Sequence, residues 1–129
     1  MNKEVIHVPG LSEGLAKRKV PLSPAIKANG FVFVSGMPPI DAAGDIPLVD
    51  VARQTELCLE NVKRALEAAG SSLDKAVMVK VFCANAAYYG AINEVYARYF
   101  PKDPPARTFV PVSGWFLPFD IEVECIALA

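Results

Sequence analysis

The sequence predicts an α+β protein: one mixed β-sheet with two helices packed on the same face. Three observations predict it. Short apolar segments of strand length alternate with two longer segments whose apolar residues recur every three to four positions, in the order β, β, α, β, α, β, β. The chain has 129 residues, enough for one domain (1–129) with its own core and too few for two. With Gly counted and Tyr left out, roughly 56% of the residues are apolar, above the about 45–50% of an average soluble domain. That excess calls for burial by a second copy of the chain, so a homo-oligomer is expected.

Residues 4–9, with Val5, Ile6 and Val8, read as a short first strand ended by Pro9-Gly10. His7 lies in it with no second metal-ligand type nearby, and no metal site is expected. Lys17-Arg18-Lys19 reads as a solvated turn. Residues 21–28 read as irregular, because Pro21 and Pro24 block regular pairing. Asn29-Gly30 is a turn signal, and Phe31 to Ser35 follows as a nearly continuous apolar strand, expected to be covered on both faces. Residues 36–44 read as a loop.

Asp50 is placed to cap a helix over 50–69. Val51, Thr55, Cys58, Leu59, Val62, Leu66 and Ala69 form its apolar face, and Gly70 stands at the left-handed C-terminal position. Residues 76–83 form the next strand. Asn85 caps a second helix over 87–100, with Tyr88, Ile92, Val95 and Tyr99 inward, ended by Pro101. Two last strands cover 106–112 and 119–128.

Composition excludes several function classes. Thirteen basic and fourteen acidic residues give a net charge of −1, which implies no polyanion partner. No basic stripe interleaves with aromatics, so nucleic-acid binding is not expected. Cys58, Cys83 and Cys125 lack C-x-x-C spacing and read as free thiols in a reducing compartment. With no signal pattern after Met1 and no membrane-length apolar run, a cytoplasmic protein without membrane association is expected. There is no phosphate-binding Gly loop, nucleophile elbow or histidine for a triad.

What remains for chemistry is small-molecule work by an Arg, a carboxylate, backbone groups and water. Strand alternation puts Arg107, Phe109 and Pro111 on one face of the fourth strand, opposite Ala106, Thr108, Val110 and Val112. In the last strand Glu122, Glu124, Ile126 and Leu128 share a face, opposite Ile121, Val123, Cys125 and Ala127. The small and medium apolar sets are the natural seat for the helices. The other face, half charged and half apolar, suits a subunit interface with polar pockets. A guanidinium binds carboxylates in bidentate fashion, and a neighbouring Glu can move a proton or orient water. Spacing alone, however, favours a structural Arg–Glu pair at that interface.

Pro105-Ala106-Arg107-Thr108, followed by Ile121-Glu122-Val123-Glu124 and Ile126-Ala127, resembles the C-terminal signature of the RidA/YjgF family of reactive intermediate deaminases. Gly30 to Gly36 with Pro39, Gln54 to Gly70, and Tyr89 to Phe100 with Ile92-Asn93-Glu94-Val95-Tyr96 extend the likeness over about residues 20–129. The resemblance implies a chorismate mutase-like α+β fold, a homotrimer and active-site clefts between subunits. It implies cofactor-independent hydrolysis of enamines and imines, such as 2-aminoacrylate and 2-iminopropanoate, to 2-oxo acids and ammonia. By the same resemblance Arg107 holds the substrate carboxylate, Glu122 positions water or transfers a proton, and Ser35 and Asn93 line the cleft, while Glu124 is structural.

The chain departs from that pattern at Leu22, where many members carry a cleft tyrosine, and at Phe109, where many have a small residue or cysteine. The segment from Ser113 to Phe119 is also unusually apolar. Two readings of these departures stand. Either the oligomer packs differently, or Trp115, Phe109 and Leu22 shape a substrate pocket for a larger or more apolar imine. The loss of the tyrosine also keeps open a module that binds a 2-oxo acid without turnover. Ribonuclease activity has less support, since the chain has no histidine pair.

Overall fold

The computed structural model describes residues 2–129. Six strands form one sheet: β1 (Glu4–Ile6), β2 (Ala25–Ala28), β3 (Phe31–Met37), β4 (Ala76–Cys83), β5 (Ala106–Pro111) and β6 (Ile121–Leu128). Three helices accompany them: α1 (Leu11–Lys17), α2 (Val51–Ala68) and α3 (Tyr89–Tyr99). The spatial order is β1-β2-β3-β6-β4-β5, and only β4 and β5 pair in parallel.

β6 lies between β3 and β4 and runs antiparallel to both, so β3 and β4 run in the same direction. Helix α2 is therefore the crossover from β3 to β4, and α3 the crossover from β4 to β5. Both crossovers step the same way along the sheet. With the usual right-handed crossover, two steps in one direction put both helices on one face, which is where α2 and α3 pack.

Local sequence explains α2 and the β2–β3 hairpin. The Asp50 carboxylate accepts from the Arg53 amide at 2.9 Å, and Gly70 takes φ 81° just past the last turn. Val62, Leu59, Cys58, Ala65 and Leu66 are fully buried against Val32, Val34, Val79, Val81, Ile121, Val123 and Cys125. At about 1.5–3 kcal/mol for each large side chain removed from water, this layer dominates the folding free energy. Asn29 and Gly30 both have positive φ, 50° and 84°, as a tight two-residue hairpin turn requires. No helix among the described residues is long and apolar enough to cross a membrane.

Several expectations are corrected. There is a third helix: α1 precedes β2, ends at Lys17 and leaves Lys19 in the left-handed region at φ 55°. Residues 25–28 form a strand despite the prolines, because Pro21 and Pro24 both precede it and leave its amide donors intact. Strand β3 runs through Gly36 to Met37, with an irregularity between Val34 and Met37 where it faces β6. Phe31 and Phe33 are 37% and 42% exposed, so β3 is covered on one face only. The second long helix starts at Tyr89, after a single 3₁₀ turn (Ala86–Tyr88) that Asn85 caps. Tyr96, rather than Tyr88 or Tyr99, joins Ile92 and Val95 in the core.

The face assignment of β5 is also reversed. Arg107 pairs with Val79, which in turn faces Cys125, and both of these are buried under the helices. Arg107 and Phe109 therefore lie on the helix side of the sheet, and Ala106, Thr108 and Val110 on the open side. That open side carries Phe31, Phe33, Ile126, Leu128 and Met78, interrupted by a Lys80–Glu124 ion pair at 3.7 Å.

Candidate functional site

The seven residues singled out in the sequence fall into two groups. The first is built on β5 and α3, at the sheet edge. Arg107 Nη1 donates to Asn93 Oδ1 at 2.7 Å, and Nη2 donates to the Tyr89 hydroxyl at 3.4 Å. The guanidinium carbon stands 4.8 Å from the Tyr96 ring centroid and 5.6 Å from that of Tyr89. Tyr89, Asn93 and Tyr96 sit at i, i+4 and i+7 of α3, one stripe of the helix lying over β5. Phe109, two residues along the same strand face, meets Tyr89 edge-on at 4.9 Å.

These partners are neutral. Among the described residues no carboxylate lies within ion-pair distance of Arg107, so within the chain the structural Arg–Glu pair does not form. An aromatic face and an amide oxygen orient a guanidinium without neutralising it. Its positive charge has no carboxylate counterion among the described residues.

The second group is spread from Glu122, toward the middle of the sheet on its open face, to Leu22 beside α1. Glu122 is half-buried, and its side chain lies on Gly36, where an added Cβ would overlap the carboxylate. Burial raises the Glu122 pKa above the usual glutamate range; the neighbouring Glu124 charge adds to this, and hydrogen bonding from Trp115 opposes it. Trp115 is itself stacked on buried Phe119 at 4.7 Å between centroids. Gln54 fixes the start of β6: its amide group donates to Asp120 Oδ2 at 3.0 Å and accepts from the Asp120 amide at 2.8 Å. Ser35 Oγ donates to the Ser23 carbonyl at 2.6 Å, so Ser35 anchors the segment that carries Leu22. Leu22 is 47% exposed and lines an open groove of about 300 Å³ with Val5, Leu15 and Val20.

Thus Arg107, Asn93 and Phe109 come together around Tyr89, and Glu122 lies against Gly36, whereas Ser35 is tied to Ser23 and Leu22 lies apart, in the groove beside α1. The two groups do not meet within one chain. Glu122 pairs with Phe82 and Arg107 with Val79, positions of opposite parity on β4, so the two side chains lie on opposite faces of the sheet. Sequence reasoning missed Tyr89, Tyr96 and Gly36 as parts of the site. The i, i+4, i+7 spacing on the second helix was the signal available for the tyrosines.

The sheet order, the two crossovers on one face and the divided pair of ionisable side chains define a small α+β protein of the YjgF/L-PSP fold. The chain belongs to the RidA/YjgF family. The family model described as "Endoribonuclease L-PSP" matches residues 16–129. A RutC family protein of Pyrococcus horikoshii is 43% identical over 128 residues, covering 98% of this chain and 97% of the relative. The 3-aminoacrylate deaminase RutC of Acinetobacter baylyi is 43% identical over 113 residues, covering 87% of this chain and 86% of the relative. Among solved structures, a Rid family protein from Yersinia pestis superposes with a TM-score of 0.86 at 32% identity, over 99% of this chain and 100% of that one. The α+β fold expected from the sequence is the fold observed.

Proposed function

We propose that the protein hydrolyses enamine and imine carboxylates of the 2-aminoacrylate/2-iminopropanoate type to 2-oxo acids and ammonia, without a cofactor. The observation that carries this reading is Arg107, a half-buried guanidinium oriented by Asn93, Tyr89 and Tyr96 and left without an anionic partner in the chain. Such a group suits a substrate carboxylate. The likeness to a 3-aminoacrylate deaminase supports the same class of chemistry.

The reaction asks little beyond placement. Protonating an enamine at carbon gives an iminium ion, water adds to its carbon, and the carbinolamine expels ammonia as the carbonyl forms. Arg107 holds the carboxylate end. Glu122, with its pKa raised above the usual glutamate range by burial, is suited to hand over a proton and then to take one from the attacking water. Holding substrate and water together supplies much of the rate.

Because Arg107 and Glu122 occupy opposite faces, the working site in this reading forms where the Arg107 group of one copy meets the Glu122 group of another. The open face bearing Phe31, Phe33 and Leu128 is the surface that brings copies together, as a trimer. Trp115 and Leu22 then border the substrate's side chain, and a larger apolar imine remains within the class. A cytoplasmic setting suits the three buried free thiols. RNA cleavage, named in the family description, has less support: the lone histidine, His7, is exposed and engaged by Glu13 at 2.8 Å.

The test generates imino acids of several side-chain sizes in situ with an amino-acid oxidase and follows their disappearance and ammonia release. Wild type is expected to accelerate the loss and Arg107→Ala to abolish the acceleration. Equal rates for the two proteins would sink the assignment. Binding of a 2-oxo acid without ammonia release would instead identify a binding module.

A further inference from the structure

We propose that Tyr89 is a second substrate-binding residue, whose phenolic hydroxyl shares the carboxylate with Arg107. The proposal rests on the reading of Arg107 given above and adds a donor to the same site.

A guanidinium carries only N–H donors. In the 3.4 Å contact between Arg107 Nη2 and the Tyr89 hydroxyl, the tyrosine oxygen is therefore the acceptor. The phenolic proton cannot point back at the guanidinium and must turn to another acceptor. None is recorded among the described residues, and Tyr89 is 48% exposed, so its hydroxyl is open to a ligand.

The ring does not swing freely. Its edge-on contact with Phe109, 4.9 Å between centroids at 81°, braces it from the strand, and its face stands 5.6 Å from the guanidinium carbon. Asn93 takes one donor of Nη1, which leaves the outer N–H groups of Arg107 beside the free phenolic O–H. A carboxylate offers two oxygens in one plane. One accepts from the guanidinium and the other from the phenol, a two-point grip that a point charge alone does not give. The ligand class is set by this pair of donors: a small α-imino or α-oxo carboxylate, whatever its side chain.

A packing role for Tyr89 would reside in the ring and survive in phenylalanine; a binding role resides in the hydroxyl. Tyr89→Phe separates them. Pyruvate, standing for the 2-oxo acid product, is titrated into wild type, Tyr89→Phe and Arg107→Ala by calorimetry, and deamination of in situ generated 2-iminopropanoate is followed for each. Tyr89→Phe is expected to raise both the pyruvate Kd and the KM about tenfold, as loss of one hydrogen bond to a charged group does, with kcat within about twofold of wild type. Wild-type values for Tyr89→Phe, with binding lost in Arg107→Ala, overturn the role of Tyr89 and leave that of Arg107 intact. Wild-type values for both variants overturn the carboxylate site itself. A fall in kcat at unchanged KM also counts against the proposal. Where pyruvate binds too weakly to titrate, the KM ratio decides.

Discussion

Arg107 and Glu122 project from opposite faces of one sheet, separated by the width of β4, and no rotamer brings their charged ends together within a chain. A site that uses both needs two copies, and this has a genetic signature. Arg107→Ala and Glu122→Gln should each be inactive alone. Co-expressed, they should form mixed trimers in which roughly one interface in three joins an intact Arg107 to an intact Glu122. With equal amounts of the two chains about a quarter of the trimers are inactive homotrimers, so ammonia release should return to about a quarter of wild type. Assembled mixed trimers with no activity would rule out the shared site.

Glu122 should also be visible in the pH dependence of stability. Its folded pKa is raised, chiefly by burial. Between the ordinary glutamate value and the raised one, the folded protein holds more proton than the unfolded chain, so this group's contribution to stability falls as pH rises through that window. Glu122→Gln removes the effect. The variant should be more stable than wild type at neutral pH, by at most about 1 kcal/mol given solvent screening of a half-exposed group. The difference should vanish at pH values below the ordinary glutamate range. Urea midpoints measured across pH report it, and a difference independent of pH would contradict it.

Gly36 is glycine because the Glu122 side chain lies on it. Gly36→Ala should displace the carboxylate, the movable end of that side chain, rather than the strand. Deaminase activity should drop as far as in Glu122→Gln, while stability falls by less than about 2 kcal/mol. Kinetics and a denaturation curve on the same sample separate the two effects. Full activity in a folded Gly36→Ala would mean that the position of the carboxylate is unimportant.

The Tyr96 hydroxyl is buried with no hydrogen-bond partner among the described residues, and burial pushes its pKa to about 12. Its ring, not its hydroxyl, faces Arg107. Tyr96→Phe should therefore leave activity near wild type and raise stability by about 1 kcal/mol, the cost of a desolvated, unpaired hydroxyl being removed. Tyr96→Leu should lose the ring contact and reduce activity. Thermal or urea unfolding decides the first claim; a destabilised Tyr96→Phe would show that the hydroxyl has a partner.

The long helix and its two ends were legible in the sequence because Asp50, the apolar stripe and Gly70 all act within one helix. Strand β2 was hidden because four residues next to two prolines carry little pattern of their own; pairing with both β1 and β3 stabilises them. The orientation of β5 was hidden for a different reason. Both of its faces border apolar surroundings, so alternation could not rank them. The long side chains of Arg107 and Phe109 fill the space under α3, while Ala106 and Thr108 suit the open face. The chemical types of Arg107 and Glu122 were readable through the family likeness. Their separation was not, since it follows from registers across β4 that no local pattern encodes. The stripe of Tyr89, Asn93 and Tyr96 on α3 was hidden behind a competing stripe of the same period, Tyr88, Ile92, Val95 and Tyr99, of which only Ile92 and Val95 are fully buried.

The placement of β6 has a consequence for how the molecule is made. Until Ile121 to Leu128 leave the ribosome, β1–β3 and β4–β5 are two unjoined pieces of sheet, each with a bare inner edge. The strand that closes the sheet is also the one that delivers Glu122. A nascent chain therefore acquires its central hydrogen-bonded ladder and its carboxylate in the same late event, and during synthesis it depends on keeping the raw edges of β3 and β4 away from other chains.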